Sequence, residues 1–368
     1  MLKLLLYFMS FFYGIGMYFR NRMYDLKILE STEFDIPVIS VGNITVGGTG
    51  KTPHIEYLIT LLKNEFNVVV LSRGYKRKTK GFREVTIGST VEESGDEPLQ
   101  IKNKFPETGV YVDEKRVHGI EEIIRLNEEK QPDVILLDDA FQHRSVTPGI
   151  NILLVDSNRP ITEDKLLPYG RLREGKTQVR RASMIIYTKC PREVKPITRR
   201  IIMQSVNLRP YQNLYFTAME YGLLTPVFPE NVALVQIPGR IGLSVLMVTG
   251  IAQPEPFKTF VSSLAEHVEE IRFPDHHSFG GNDLLKIEET FVKISGKNKL
   301  IVTTEKDATR LKGIADMPDM LKSNLFYIPI KIKFLDSEGK SFDKKILDYV
   351  RENKSNRELY KRKDQRPH

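Results

Sequence analysis

The sequence is poor in cysteine. Of its 368 residues only Cys190 is one, which rules out an intrachain disulfide and any metal cluster built from several thiolates. It also fits a reducing compartment. There is no internal repeat, so a solenoid or propeller is excluded. Nucleic-acid recognition motifs are missing as well, although the formal net charge is +8. The basic excess points instead to a phosphorylated substrate or an acidic lipid surface. The N-terminal apolar run, Leu4–Phe19, is a little short of the roughly 20 residues a spanning helix needs. It is followed by Asn21-Arg22-Met23-Tyr24-Asp25, which lacks the small-residue cleavage pattern of a signal peptide. The basic flanks Lys3, Arg20 and Arg22, together with Tyr7, Tyr13 and Tyr18, suit the headgroup boundary. We read this segment as a helix lying on a membrane, against the alternatives of a buried core helix or a true span.

The remainder of the chain alternates. Buried strands are expected at Ile36–Val41, Asn67–Ser72, Asp133–Asp138, Ile150–Asp156 and Ala182–Thr188, with helices near Pro53–Lys63 and Asp113–Lys130. Strands alternating with helices specify a parallel sheet covered on both faces. The pattern weakens over 208–240, read as a connection with short strands. It resumes with strands at Leu243–Val248, Lys299–Thr304 and Leu325–Ile330 and helices near Pro256–Glu266 and Asp283–Ile294. The expected organisation is a membrane-associating helix (1–30), a P-loop domain (31–207), linker strands (208–240), a second α/β domain (241–335), and a C-terminal helix with a charged tail (336–368). The tail from Arg351 onward reads as solvated or disordered.

Between the first of these strands and the helix after it runs Thr45-Val46-Gly47-Gly48-Thr49-Gly50-Lys51-Thr52. Strand, glycine-rich turn, Gly-Lys-Thr and helix, in that order, form the context of a nucleotide-binding P-loop. The glycines let backbone N–H groups turn inward around phosphate oxygens, and the helix N-terminus adds partial positive charge. Lys51 is expected to reach the β- and γ-phosphates of ATP, and the Thr52 hydroxyl to ligate Mg²⁺. Thr45 stands where the standard pattern has its first glycine. Val46 stands where partition-type ATPases carry a second lysine, which weighs against the competing reading of a membrane-associated ATPase switch.

A P-loop enzyme needs a second metal anchor at the end of an apolar strand, and Asp138-Asp139 close the run Val134–Leu137. Strand alternation lets only one of the pair face the metal unless the chain turns there; Asp138 is favoured, with Asp139 close behind. Gly95-Asp96-Glu97-Pro98 reads as a loop. In it Asp96 can accept a hydroxyl proton and Glu97 can hold a metal-bound water, or the stretch is simply a turn before a helix. Asp275-His276-His277 has no third ligand at metal spacing. Arg171 and Arg173, after Gly170, suit bidentate phosphate binding.

Taken in order, these motifs resemble the tetraacyldisaccharide 4′-kinases, the lipid A 4′-kinases of Gram-negative bacteria. The matching stretches are Ser40–Asn43 with Lys51–Pro53, Ser72–Tyr75, Gly95–Pro98, Asp138–His143, Leu167–Glu174, Gly250–Ala252, Phe273–His277 and Thr304–Ala308. Ala140-Phe141 replaces the Gly-Leu expected after the paired aspartates. The resemblance implies two α/β/α sandwich domains joined by a short two-stranded linker, the first of P-loop NTPase type, with an N-terminal membrane-associating helix. It implies transfer of the γ-phosphate of ATP, with Mg²⁺, to the 4′-hydroxyl of a tetraacylated glucosamine disaccharide 1-phosphate at the cytoplasmic face of the inner membrane. It further implies that Asp96 is the catalytic base, with His276, or its neighbour His277, setting its charge. Lys51 and Arg171 would then stabilise the transferring phosphoryl group.

Overall fold

The structure, a computed structural model, describes residues 2–231, 242–296 and 298–364. The expected linker residues 232–240 and tail residues 365–368 lie outside these. The chain begins with α1 (Leu2–Asp25), β1 (Val38–Gly42), α2 (Lys51–Leu62), β2 (Val68–Ser72), β3 (Arg83–Glu84), α3 (Val91–Ser94), α4 (Asp96–Lys104), β4 (Gly109–Val112) and α5 (Arg116–Leu126). It continues with β5 (Val134–Asp138), β6 (Ile150–Asp156), β7 (Met184–Thr188), α6 (Pro196–Ser205), β8 (Asn213–Tyr221) and β9 (Thr225–Pro226). The last elements are β10 (Leu243–Thr249), α7 (Glu255–Leu264), β11 (His267–Arg272), α8 (Gly281–Lys293), β12 (Asn298–Thr304), α9 (Glu305–Lys312), α10 (Asp319–Asn324), β13 (Leu325–Ile328), β14 (Ile330–Phe334) and α11 (Glu338–Asp364). They divide into two compact units: residues 1–87, 101–219 and 332–368 form the first, and 88–100 with 220–331 form the second.

The first unit holds a nine-stranded sheet in the order β14-β8-β7-β6-β1-β5-β2-β4-β3. The pairs from β8 through β4 are parallel, and β3 is antiparallel to its neighbour β4. A parallel strand needs a crossover, so helices cover the faces and the strands become apolar along their whole length. Every residue of β1, β2, β5 and β7 is accordingly buried. The second unit has a five-stranded sheet, β11-β10-β12-β13-β9, parallel except for β9. It packs α8, α9 and α10 through Leu284, Ile287, Phe291, Leu311 and Leu321.

Three stretches differ from the sequence expectation. Residues 213–221, read as short connecting strands, form the single nine-residue strand β8, paired with β7 from Met184↔Asn213 to Tyr187↔Phe216. Gly95-Asp96-Glu97-Pro98 is not a loop. Gly95 makes a break with φ 88, and Asp96 is the first residue of α4; Pro98 is tolerated there because the first helical turn has no N–H partners to lose. Residues 351–364 continue α11 instead of trailing off as a disordered tail. Arg351 pairs with Glu65 at 2.8 Å, and Lys354 with Asp133 at 3.1 Å. These contacts supply the tertiary support that helix propensity alone does not provide.

Helix α1 is amphipathic in an inverted sense. One face carries polar anchors to the body: Ser10 Oγ donates to the Leu166 carbonyl (2.8 Å), Tyr13 OH to the Arg173 carbonyl (2.8 Å) and Arg20 Nη2 to the Gln142 carbonyl (2.9 Å). The opposite face, Phe8, Phe12, Ile15 and Phe19 at helical spacing, stands exposed together with Leu4 and Phe11. A groove of ≈ 480 Å³ runs between this helix and Leu166. Among the described residues no helix is long and apolar enough to cross a membrane.

Phe342 anchors α11 in an aromatic cluster with Phe334 (4.5 Å between centroids), Tyr215 (5.3 Å) and Tyr57 (6.1 Å). Phe342→Ala should cost about 3–5 kcal/mol of stability, read as a lower denaturant midpoint. An unchanged midpoint would mean that α11 does not close the first core.

Candidate active site

Both units carry a polar constellation at the carboxyl ends of parallel strands, the edge at which α/β sheets bind ligands. In the first unit β1 runs into the glycine loop and then α2. Gly50 caps α2 in the left-handed conformation (φ 86, ψ 28), a backbone position that glycine adopts without the strain a side chain would bring. The loop is held from outside. Asn43 Nδ2 donates to Thr49 Oγ1 (2.7 Å), the Val46 amide to the Arg171 carbonyl (2.8 Å) and the Arg173 amide to the Ile44 carbonyl (2.7 Å).

Lys51 Nζ stands 3.7 Å from Asp139 Oδ1. Asp139 has a left-handed backbone (φ 47), so the chain turns at this position and the two aspartates no longer alternate as on a strand. Asp138 is fully buried and accepts from the Ser72 hydroxyl at 3.1 Å, while Asp139 meets both Lys51 and Arg173 Nη1 (3.2 Å). Burial pushes the Asp139 carboxyl up, but the charges of Lys51 and Arg173 outweigh it and hold it below the usual range. Arg116, 1 % exposed, donates to the Asp138 and Asp113 carbonyls; burial lowers its pKa to about 10. Of the two arginines after Gly170, Arg173 makes the carboxylate contact, whereas the Arg171 side chain is exposed.

In the second unit Asp96, at the start of α4, gathers three basic groups on one oxygen. His276 Nδ1 lies 3.0 Å and Lys306 Nζ 3.5 Å from Asp96 Oδ2, and the Arg310 guanidinium bonds to it directly. Its other oxygen accepts from the Glu97 amide at 2.9 Å. Burial pushes the carboxyl up, but the hydrogen bond from His276 and the charges of Lys306 and Arg310 pull it well below the usual carboxylate range. Arg310 is fixed in turn by Asp307 (2.7 Å), which accepts from the Gly250 amide (2.9 Å) and the Thr304 hydroxyl (2.7 Å). The two histidines separate. His276 faces Asp96, while His277 stacks on Phe273 (4.7 Å) and meets Asp283 at 2.9 Å, tying down the start of α8. Glu97 faces Lys306 at 3.3 Å. Among the described residues no group of three or more His, Cys, Asp or Glu side chains is placed to hold a metal ion by itself.

The family profile "Tetraacyldisaccharide-1-P 4'-kinase" (LpxK) matches residues 2–351. The chain belongs to this family. It is 47% identical over 351 residues to the tetraacyldisaccharide 4′-kinase of Phocaeicola vulgatus, covering 95% of this chain and 96% of that one. It is 45% identical over 366 residues to that of Bacteroides thetaiotaomicron (98% and 96%). Among solved structures it is similar to an "apo" form LpxK from Aquifex aeolicus in complex with ATP, with a TM-score of 0.72 and 31% identity over 95% of this chain and 99% of that one.

Sequence reasoning missed several members of these constellations. Lys306 lies within the stretch Thr304–Ala308 and Arg310 two residues beyond it, but nothing in their spacing shows that α9 aims them at Asp96. Nothing in the sequence singles out Arg116; the fold buries it beside Asp138. His54, one turn into α2, is 3% exposed; burial drives its pKa down to about 4, so it is neutral.

Asp96 carries an acid-sensitive part of the second unit's stability. Its folded pKa lies below the unfolded value of about 3.9, so the stabilisation is present above that value and is lost as pH falls through the folded one. Asp96→Asn should therefore destabilise by about 3 kcal/mol at pH 7, a buried pair broken from one side. The gap to the parent should narrow below about pH 4. A gap independent of pH in denaturant titrations would contradict this ion cluster.

Proposed function

We propose that this LpxK-family protein transfers the γ-phosphate of ATP to the 4′-hydroxyl of an acylated glucosamine disaccharide 1-phosphate, a step of lipid A biosynthesis. The observation that carries the reading is Lys51, at the N-terminus of α2, 3.7 Å from Asp139 at the end of β5. An ion pair at the mouth of a glycine loop, with a helix N-terminus behind it, is one that phosphate oxygens can take over.

The Thr52 hydroxyl and the Asp138 and Asp139 carboxylates are hard oxygen donors. They would hold Mg²⁺ jointly with nucleotide phosphates, the usual arrangement for that ion. Asp139, which meets Lys51, suits direct ligation, and Asp138 suits support from below through Ser72. When bound, the ion supplies neutralisation of phosphate charge. The residues of the chain do the rest. Loop amides from Thr45 to Lys51 orient the phosphates, Lys51 balances charge that develops in transfer, and Arg171, whose side chain is exposed beside the loop, takes a phosphate oxygen of ATP or acceptor. Asp96 accepts the proton of the attacking hydroxyl, with His276 fixing its orientation. A carboxylate so strongly stabilised is a weak base, so proton transfer falls late, when the hydroxyl has become acidic. The apolar face of α1 would rest in the cytoplasmic leaflet of the inner membrane, where the acylated acceptor resides.

Incubation with γ-labelled ATP, Mg²⁺ and lipid A disaccharide 1-phosphate in micelles should label the lipid, and Lys51→Ala should reduce that by about 10³-fold. ATP hydrolysis with no labelled lipid across acceptors of varied acylation would replace the kinase with an ATPase switch. The combined change Phe8→Glu with Phe12→Glu should weaken binding to anionic vesicles by about 100-fold through lost apolar burial. Unchanged cosedimentation would remove the membrane role of α1.

A further inference from the structure

A phosphate-binding loop works only if its amides face the ligand. In a trans peptide the C=O of one residue points opposite to the N–H of the next, so whatever holds a loop carbonyl outward aims the following amide inward. Three consecutive carbonyls of the glycine loop are held in this way, each by a different side chain. The Gly48 carbonyl accepts from Lys189 Nζ, which also pairs with Asp156 at 2.7 Å. The Thr49 carbonyl accepts from the Thr188 hydroxyl at 2.9 Å. The Gly50 carbonyl lies 2.7 Å from His54 Nδ1; since a carbonyl only accepts, Nδ1 carries the proton, and Nε2 is left to accept from the Thr217 hydroxyl at 3.3 Å.

None of the three comes from the loop. Thr188 ends β7 and Lys189 follows it, two strands from β1 in the order β7-β6-β1. Lys189 takes a left-handed backbone (φ 56), a conformation a lysine rarely adopts, and its amine spans from the end of β6 to the loop. Thr188 is fully buried. A buried carbonyl needs some partner, but that need does not account for three tethers on three successive residues from two separate elements.

We propose that His54, Thr188 and Lys189 are positioning residues of the nucleotide site, which aim the amides of Lys51, Gly50 and Thr49 at the phosphates by holding the preceding carbonyls away. They touch no substrate atom. The inference deepens the kinase reading and rests on it: it names residues that pre-organise the phosphate grip.

The test is equilibrium binding of ATP, ADP and AMP to the full-length protein with Mg²⁺. Thr188→Val keeps the side-chain volume and removes the tether. It should weaken ATP and ADP by about tenfold, the worth of one well-formed hydrogen bond, and AMP far less, because the loss must scale with the phosphates the loop holds. In turnover, KM for ATP should rise by more than kcat falls. Thr188→Ser, which keeps the hydroxyl, should restore binding, and His54→Leu should repeat the pattern through Gly50. Equal losses for all three nucleotides, or parental affinities in both Thr188→Val and His54→Leu, would overturn the proposal. If Thr188→Val does not fold, His54→Leu alone decides by the same criteria. A parent protein that fails to bind ATP at all would instead overturn the kinase reading, so the two failures are distinct.

Discussion

Lys51 cannot stand alone where it is. The N-terminus of α2 already carries partial positive charge, and a further ammonium on a half-buried ledge needs an answering carboxylate. Asp139 provides it at 3.7 Å, and only because the chain turns left-handed at that residue. Much of the first unit follows from this pair. Asp139 in turn draws Arg173, whose amide bonds to Ile44 and whose carbonyl accepts from Tyr13 of α1. Charge compensation at the loop thus extends to the placement of the N-terminal helix. The second unit obeys the same constraint with reversed sign: buried Asp96 is answered by His276, Lys306 and Arg310, and Arg310 by Asp307.

Parallel strands made the first unit readable. Because both faces of such a sheet are covered, β1, β2, β5, β6 and β7 appear as nearly unbroken apolar runs, and their ends mark where polar chemistry begins. Ile150–Asp156 agrees with the sequence reading residue for residue. The glycine loop and the paired aspartates were legible for the same reason. What escaped is non-local. That Asp139 and not Asp138 would meet Lys51 depends on one left-handed residue, which alternation along a strand does not encode. Strand β8 carries Pro-free but mixed residues, Asn213–Tyr221, whose burial is set by β7 beside it. The part of α11 beyond Arg351 looked too charged to be ordered, yet Glu65 and Asp133, far away in sequence, receive the cations of Arg351 and Lys354. The paired histidines are alike in sequence and separate only when Asp96 and Asp283 are brought to opposite members.

The N-terminal helix reverses the usual economy of a surface helix. Its polar residues face the protein and its aromatic residues face outward. Burying Ser10, Tyr13 and Arg20 against backbone carbonyls satisfies those groups, whereas leaving Phe8, Phe12 and Phe19 in water forgoes about 1.5–3 kcal/mol for each. Under the proposed function, the membrane leaflet would supply the apolar environment that offsets this cost. The helix is not an appendage, since its Tyr13 bonds to the same Arg173 that supports Asp139.

Under the proposed function, the two constellations divide the labour of phosphoryl transfer along chemical lines. The first is built to hold anions: backbone amides, a helix N-terminus, Lys51 and arginines, with carboxylates present as counter-charges and hard oxygen donors. The second is built to hold one anion, Asp96, and to keep it ionised. Strong stabilisation of Asp96 makes it a poor proton acceptor from an ordinary alcohol, and this is a suitable property for a kinase. A strong base facing solvent would activate water as readily as a sugar hydroxyl and favour ATP hydrolysis. If Asp96 is the base, as proposed, a carboxylate held far below its usual range by Lys306 and Arg310 would take a proton only from a hydroxyl already committed to phosphorus. On that proposal, the ring of cations around Asp96 would serve selectivity for the acceptor at the expense of base strength.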